Sequence, residues 1–135
     1  MITLTDEILS QLKQINREVN DGIRYTPDEG ESWDIILELN GDSPGDCDDF
    51  AVTKRQQLID LGFDWMDLKL ATCWTKKDRD EWKNYHLVLI VDTDKGKLVL
   101  DNAWDDIDHM EDRKYLFHKI QDSTSVTGWR ECDIV

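Results

Sequence analysis

The stretch "SPGDCDDFAVTKRQQLIDLGF", Ser43 to Phe63, decides how this chain is read. Pro44 and Gly45 break the backbone at its start, and Gly62 offers a helix stop at its end. Between them Cys47, Phe50, Ala51, Lys54, Leu58 and Leu61 recur at spacings of three and four. That spacing predicts an amphipathic helix with Cys47 in or just before its first turn. Asp46, Asp48 and Asp49 crowd the cysteine. Carboxylates oppose a thiolate unless positive charge offsets them. Either these acids are a solvated loop, with Asp46 and Asp48 capping the helix and favouring its dipole, or they serve a reactive thiol.

Working outward, the N-terminal side supplies a second helix. Thr5 is a natural N-cap, and Ile8, Leu12, Ile15 and Val19 share one face. From Gly22 to Gly45 the chain is irregular, with a short apolar run, Trp33 to Leu39, that reads as a short helix. After Gly62 the period changes to two. Leu68, Leu70 and Thr72 alternate with Lys69, Ala71 and Cys73, which predicts a strand. A charged loop, "TKKDRDEWKN", leads to "YHLVLIVDT", an apolar run expected to be a strand buried on both faces. "DTDKGK" supplies a hairpin turn with Gly96 free to take a positive φ angle. "KLVLDNAW" returns antiparallel, and the polar tail from Asp105 offers "KYLFHKI" and "GWRECDIV" as edge strands. Helices first and strands afterwards indicate an α+β fold in one domain, residues 1–135.

The bulk numbers limit what such a domain does. The chain has 135 residues, 39% of them hydrophobic, with six tryptophans, enough apolar area to offset chain entropy. Thirty acids face sixteen bases, a net charge of -14, which excludes phosphate-backbone binding to nucleic acid. No run approaches the ~20 apolar residues of a membrane-spanning helix. The start, "MITLTDEILSQLKQ", lacks a basic segment followed by an apolar one, so the expected compartment is the cytoplasm. Cys47, Cys73 and Cys132 are odd in number and form no CxxC pair, which speaks against a disulfide framework or a zinc site.

A cysteine at a helix N-terminus faces unpaired amides carrying about half a positive charge, and the same amides can bind an oxyanion. Cys47 therefore has the setting of a nucleophile and lacks only a base. Of the three histidines, His109 and His118 lie in the polar tail. His86 begins the central apolar strand, where a sheet would hold its ring. Across the hairpin, Asp101 falls opposite or diagonal to His86, depending on register. A carboxylate leaving a buried strand needs a partner, and an imidazolium is one. Cys47, His86 and Asp101 thus form a Cys-His-Asp set in which the acid orients the base and the base activates the thiol. Each member also has an ordinary reading: a small core cysteine, a structural histidine, an aspartate opening a turn.

"GDCDDFAVTKRQQLIDLG" followed by "HLVLIVDTDKGKLVLDN" resembles the bacterial transglutaminase-like cysteine peptidases, a family that includes periplasmic, calcium-dependent, adhesin-releasing proteases. The family's Gly-Asp-Cys-acid-Asp-aromatic-Ala block matches Gly45 to Ala51, its histidine block matches "HLVLIV", and its "VLDN" matches Val99 to Asn102. "INREVNDGIRY" and Trp33 are similar to the family's first helix and aromatic position. The resemblance covers Ile15 to Asp106. It implies a papain-like or transglutaminase-like core, with a cysteine-bearing helix packed on an antiparallel sheet that carries the histidine and aspartate. It implies Cys47 as nucleophile, His86 as general base and acid, and Asp101 as orienter, acting through a thioester on an amide of a protein or peptide substrate. It further implies calcium held by Asp46 and Asp48, hard oxygen donors whose charge the ion would cancel. Asp48 stands where the family often has the longer Glu. A transglutaminase or deamidase acting on side-chain amides shares the same residues. From another class, an acidic binding protein that mimics nucleic acid fits the charge but has no use for the Cys-His-Asp set. A compact acidic domain of this kind is compatible with a bacterial or a phage-encoded source.

Overall fold

The computed structural model describes residues 1–26, 36, 39–41, 43–78, 81–112, 115–121 and 129–131. Helix α1 (Asp6–Gly22) starts at Thr5, whose hydroxyl accepts from the Ile8 amide at 3.2 Å. Its apolar stripe, Leu12, Ile15 and Val19, is buried. A short parallel pair follows, β1 (Ile23–Tyr25) and β2 (Ser43–Gly45), with Tyr25 opposite Gly45. No side chain fits at Gly45: a Cβ there would lie 2.8 Å from Ile23 Cγ2. That close approach seats the chain immediately before α2 (Cys47–Asp60). α2 buries Phe50, Ala51, Lys54 and Leu58, and Cys47 is half-buried. The expected face thus holds except at its end, where Leu61 is the C-cap and is exposed.

A 3-10 turn (Trp65–Asp67) leads into the sheet. Its strands are β3 (Leu68–Asp78), β4 (Glu81–Thr93), β5 (Gly96–Asp101), β6 (Trp104–His109), β7 (Leu116–Gln121) and β8 (Trp129–Glu131). They are hydrogen-bonded in the order β6-β5-β4-β3-β7-β8, and every pairing is antiparallel. The charged segment read as a loop is instead mostly strand, since β3 runs to Asp78 and β4 starts at Glu81. Ladder hydrogen bonds to a neighbour outweigh the polarity of that segment. The polar tail also holds β6, an edge strand with four of six residues exposed. Its acids Asp105, Asp106 and Asp108 suit an unpaired edge, where charge discourages association. β7 is not an edge strand, because β8 covers it. The helix expected over Trp33–Leu39, and Cys132, fall largely or wholly outside the described residues.

The sheet has two apolar faces. Leu68, Leu70, Leu87, Leu89, Val91, Leu98 and Leu100 pack with α1 and α2 in one cluster. Ala71, Cys73, Val88, Ile90, Val99 and Ile120 form a second, with Met110, Tyr115 and Phe117 against it. β4 from Leu87 to Val91 therefore is buried on both faces, as its continuous apolar run requires. Each fully buried aliphatic side chain stabilises by about 1.5–3 kcal/mol. Among the described residues no helix is long and apolar enough to cross a membrane.

Gly96 closes the β4–β5 hairpin at φ 110°, and a Cβ there would sit 2.9 Å from the His109 ring. Gly96→Ala is expected to lower stability by about 1–3 kcal/mol through backbone strain. Urea unfolding at neutral pH measures it, and an unchanged midpoint would show that the turn relaxes freely.

Candidate active site

Asp46 builds the end of α2 on which Cys47 sits. Its Oδ1 accepts from the amides of Asp48 at 3.1 Å and Asp49 at 3.3 Å. Asp49 Oδ2 in turn accepts from the Asp46 amide at 3.1 Å, completing a capping box. The cap expected of Asp46 and Asp48 is made by Asp46 with Asp49, while Asp48 lies in the first turn of α2. The Cys47 amide is not taken up by this cap. Asp48 has a different place: its Oδ1 lies 3.6 Å from Cys47 Sγ, where a thiol donates to a carboxylate.

His86 reaches this cysteine from β4. Leu89 pairs with Leu100 across the hairpin, which sets His86 diagonal to Asp101. His86 Nε2 lies 2.6 Å from Asp101 Oδ1. Cys47 also acts on the ring, favouring its charged form. With Nε2 committed to Asp101, Nδ1 is the nitrogen left for the sulfur. Asp101 is 1% exposed. Its Oδ1 also accepts from the Ala103 amide at 3.0 Å, and its Oδ2 accepts from the Tyr115 hydroxyl. The structure thus joins His86 to Asp101 by a hydrogen bond and sets Cys47 where it acts on the same ring.

The turn bearing Asp101 is clamped by α1. Asn20 Nδ2 donates to the Asp101 carbonyl at 3.0 Å, and Asn16 Nδ2 donates to the carbonyls of Trp104 at 2.9 Å and Asp105 at 3.0 Å. Lys54 is 1% exposed, its Nζ 6.0 Å from the Phe50 ring centre, and it feels the charges of Asp101 and Asp105. Sequence reasoning placed Lys54 on the buried face and "INREVNDGIRY" in the first helix without assigning either task, and it missed Tyr115. The outlying histidines stay outside: His109 Nε2 bonds the Lys95 carbonyl at 2.9 Å, and His118 lies on β7.

Electrostatics follow from this packing. Burial disfavours the His86 imidazolium, but hydrogen bonds and charge from Asp101 and Cys47 prevail and raise it from 6.5 to about 9. Burial likewise opposes ionisation of Asp101, yet His86, the Ala103 amide and Tyr115 lower it from 3.8 to about 2. Burial depresses Lys54 from 10.5 to about 7, with Asp101 and Asp105 resisting. Tyr25 on β1 is raised above 10.0, by burial first and then by Cys47, Asp46 and Asp48. Negative potential therefore gathers at this helix end, and His86 is its counter-charge at neutral pH. Among the described residues no three His, Cys, Asp or Glu side chains converge as a metal-holding group. Asp46 and Asp48 are hard oxygen donors and suit calcium by type, with Asp46 Oδ1 already engaged.

The family model described as bacterial transglutaminase-like cysteine proteinase matches residues 1–134. The chain belongs to this family. It is thereby a cysteine peptidase, and charge mimicry is not its class. Its fold is similar to solved structures of LapG from Legionella pneumophila. The calcium-bound form has a TM-score of 0.76 at 21% identity, over 93% of this chain and 69% of that one. An EGTA-treated form has 0.75 at 22%, over 93% and 68%, and a further LapG structure has 0.75 at 21%, over 95% and 69%. No curated protein matches the chain.

The titrations have a measurable sum. The His86 contribution to stability is complete below pH 6.5 and is lost as pH rises through about 9. Lys54 acts oppositely, because the folded chain releases its proton near 7 while the unfolded chain keeps it to 10.5, so stability rises with pH between them. The Asp101 contribution is present above 3.8 and lost as pH falls through about 2. Between pH 7 and 9 His86 and Lys54 nearly cancel. Lys54→Met is expected to expose the His86 loss as a decline of about 1.4 kcal/mol per pH unit in that window. Urea unfolding at pH 7, 8 and 9 reads it, and slopes equal in variant and wild type would remove Lys54 as a titrating group there.

Proposed function

We propose that this cysteine peptidase cleaves a peptide amide through Cys47, His86 and Asp101 by way of a thioester. The observation that carries the reading is the 2.6 Å bond from the His86 ring to buried Asp101, with Cys47 at the helix N-terminus acting on the same ring. The Cys47 thiolate attacks the scissile carbonyl carbon. The carbonyl oxygen becomes an oxyanion, and the Cys47 amide, left out of the cap, is the first donor to it. The tetrahedral intermediate collapses as His86 passes its Nδ1 proton to the departing amine, leaving a thioester on Cys47. Neutral His86 then takes a proton from water as the water attacks the thioester carbonyl. The acid product leaves, and thiolate and imidazolium are restored. Asp101 stays ionised throughout and holds the ring on Nε2.

Calcium enters the same reading. LapG carries it in one of the similar structures. Asp46 and Asp48 are the residues of this chain that would hold it. A bound ion would cancel carboxylate charge that otherwise opposes the thiolate. The part these two acids play without it is to cap α2 and to flank the sulfur.

Cys47→Ala and His86→Ala are expected to abolish cleavage of a peptide library while leaving melting behaviour cooperative. Asp101→Asn should lower kcat by orders of magnitude, on the scale of about 10⁴-fold seen when a triad acid loses its charge. Full activity in Asp101→Asn would remove that residue from the mechanism. Product masses with and without a primary amine separate hydrolysis from amine transfer and from side-chain deamidation. Products carrying the amine, or a side-chain amide converted to acid, would replace peptide hydrolysis with those chemistries.

Chelator should lower the melting temperature and slow alkylation of Cys47, and added calcium should restore both. The gain should follow the logarithm of free calcium over its dissociation constant. Asp48→Asn should weaken the response. Identical melting curves in calcium and chelator would leave Asp46 and Asp48 with the helix end alone.

A further inference from the structure

Asp101 has two oxygens, and His86 uses one. Oδ1 is shared by His86 Nε2 at 2.6 Å and the Ala103 amide at 3.0 Å. Oδ2 receives the hydroxyl of Tyr115, which immediately precedes β7. The three donors come from three separate parts of the chain: the central strand, the turn after β5, and the approach to β7. A carboxylate held only on Oδ1 can rotate about its Cβ–Cγ bond. Held on both oxygens, it has one plane. Asp101 is 1% exposed, so water is poorly placed to replace a missing donor.

The ring that carries this hydroxyl is itself fixed. Tyr115 meets Phe117 edge-on, with centroids 5.8 Å apart and planes at 68°. Both pack against the second apolar cluster of the sheet. We infer that Tyr115 is a positioning residue, fixing the Asp101 carboxylate so that the His86 ring keeps its plane and presents Nδ1 to Cys47. This rests on the reading of Asp101 as the orienting acid. Tyr115 touches neither the sulfur nor the substrate in this role. It acts through Asp101, and its donated hydrogen bond also favours the ionised carboxylate.

Tyr115→Phe keeps the ring and removes the donor. Turnover by the full chain on a cleavable peptide should fall about ten- to a hundredfold in kcat, the equivalent of one charge-assisted hydrogen bond, with KM unchanged. The Asp101 carboxyl titration, followed by ¹³C NMR, should move upward from about 2. Phe117→Leu, which loosens the packing and keeps the hydroxyl, should lower the melting temperature without moving that titration. Fluorotyrosine at position 115 retains ring and donor and should retain turnover. Wild-type kcat together with a wild-type Asp101 titration in Tyr115→Phe would overturn the inference, as would fluorotyrosine losing turnover as far as phenylalanine does. The carboxyl titration needs no substrate. It therefore judges Tyr115 even if Cys47→Ala retains cleavage, the result that would sink the peptidase mechanism itself.

Discussion

A carboxylate that is 1% exposed is the constraint around which this fold is arranged. Burying an ion unpaired is prohibitive, and even a paired one needs its remaining oxygens satisfied. Asp101 meets that demand with His86 from β4, the Ala103 amide from the following turn and Tyr115 from before β7. Asn20 of α1 holds the carbonyl of the same residue, and Lys54 of α2, which burial brings down to about 7, lies within electrostatic reach. Both helices and three parts of the sheet layer thus act on one residue. Removing any one partner loosens the turn or leaves charge uncompensated. Fold stability and site geometry therefore draw on the same contacts at this point, and substitutions of neighbouring partners should be non-additive.

The other end of the series has the opposite difficulty, an excess of negative charge. Asp46 and Asp49 spend oxygens on the cap, which converts two of the three nearby acids into structural parts of α2. Asp48 remains beside the sulfur. Against it stand the positive end of the helix and the His86 imidazolium. The imidazolium exists at neutral pH because Asp101 stabilises it more than burial penalises it. The acidic crowd at Cys47 is therefore opposed by a cation that a second, buried acid sustains.

Most of this frame can be read from residue periodicity. Thr5, the stripe on α1, the face of α2, the hairpin at Gly96 and the doubly buried β4 all follow from spacing and turn chemistry. β6 does not, because an edge strand needs only one polar-tolerant ladder and carries no apolar alternation to mark it. The His86–Asp101 proximity was legible as a hairpin geometry, and the register resolves it as diagonal. Tyr115 was not legible. Its partner lies fourteen residues away, across β6, and no periodicity encodes a hydrogen bond made by a residue just before a strand. The asparagines of "INREVNDGIRY" were visible as a pattern, yet their task depends on a turn some eighty residues later.

Parity along β4 explains why the site lies where it does. Leu87, Leu89 and Val91 belong to the helix-facing cluster, and Val88 and Ile90 to the other. His86 shares parity with the second set, and Asp101 shares parity with Val99, also in the second set. Cys47 packs with the first. A flat sheet would keep these residues on opposite sides. The registers of β3–β7 and β5–β6 both shift near this end, between Thr72 and Cys73 and between Val99 and Asp101. Bulges increase local twist and bend a strand, which is how a sheet re-aims side chains at its rim. Cys73 pairs directly with His86, so one irregularity lies on each side of the His86 segment of β4. His86 nonetheless interacts with Cys47, which packs with the helix-facing cluster. The site lies at the end of β5, beside the middle of β4, where Asp101 leaves the sheet and the N-terminus of α2 is at hand.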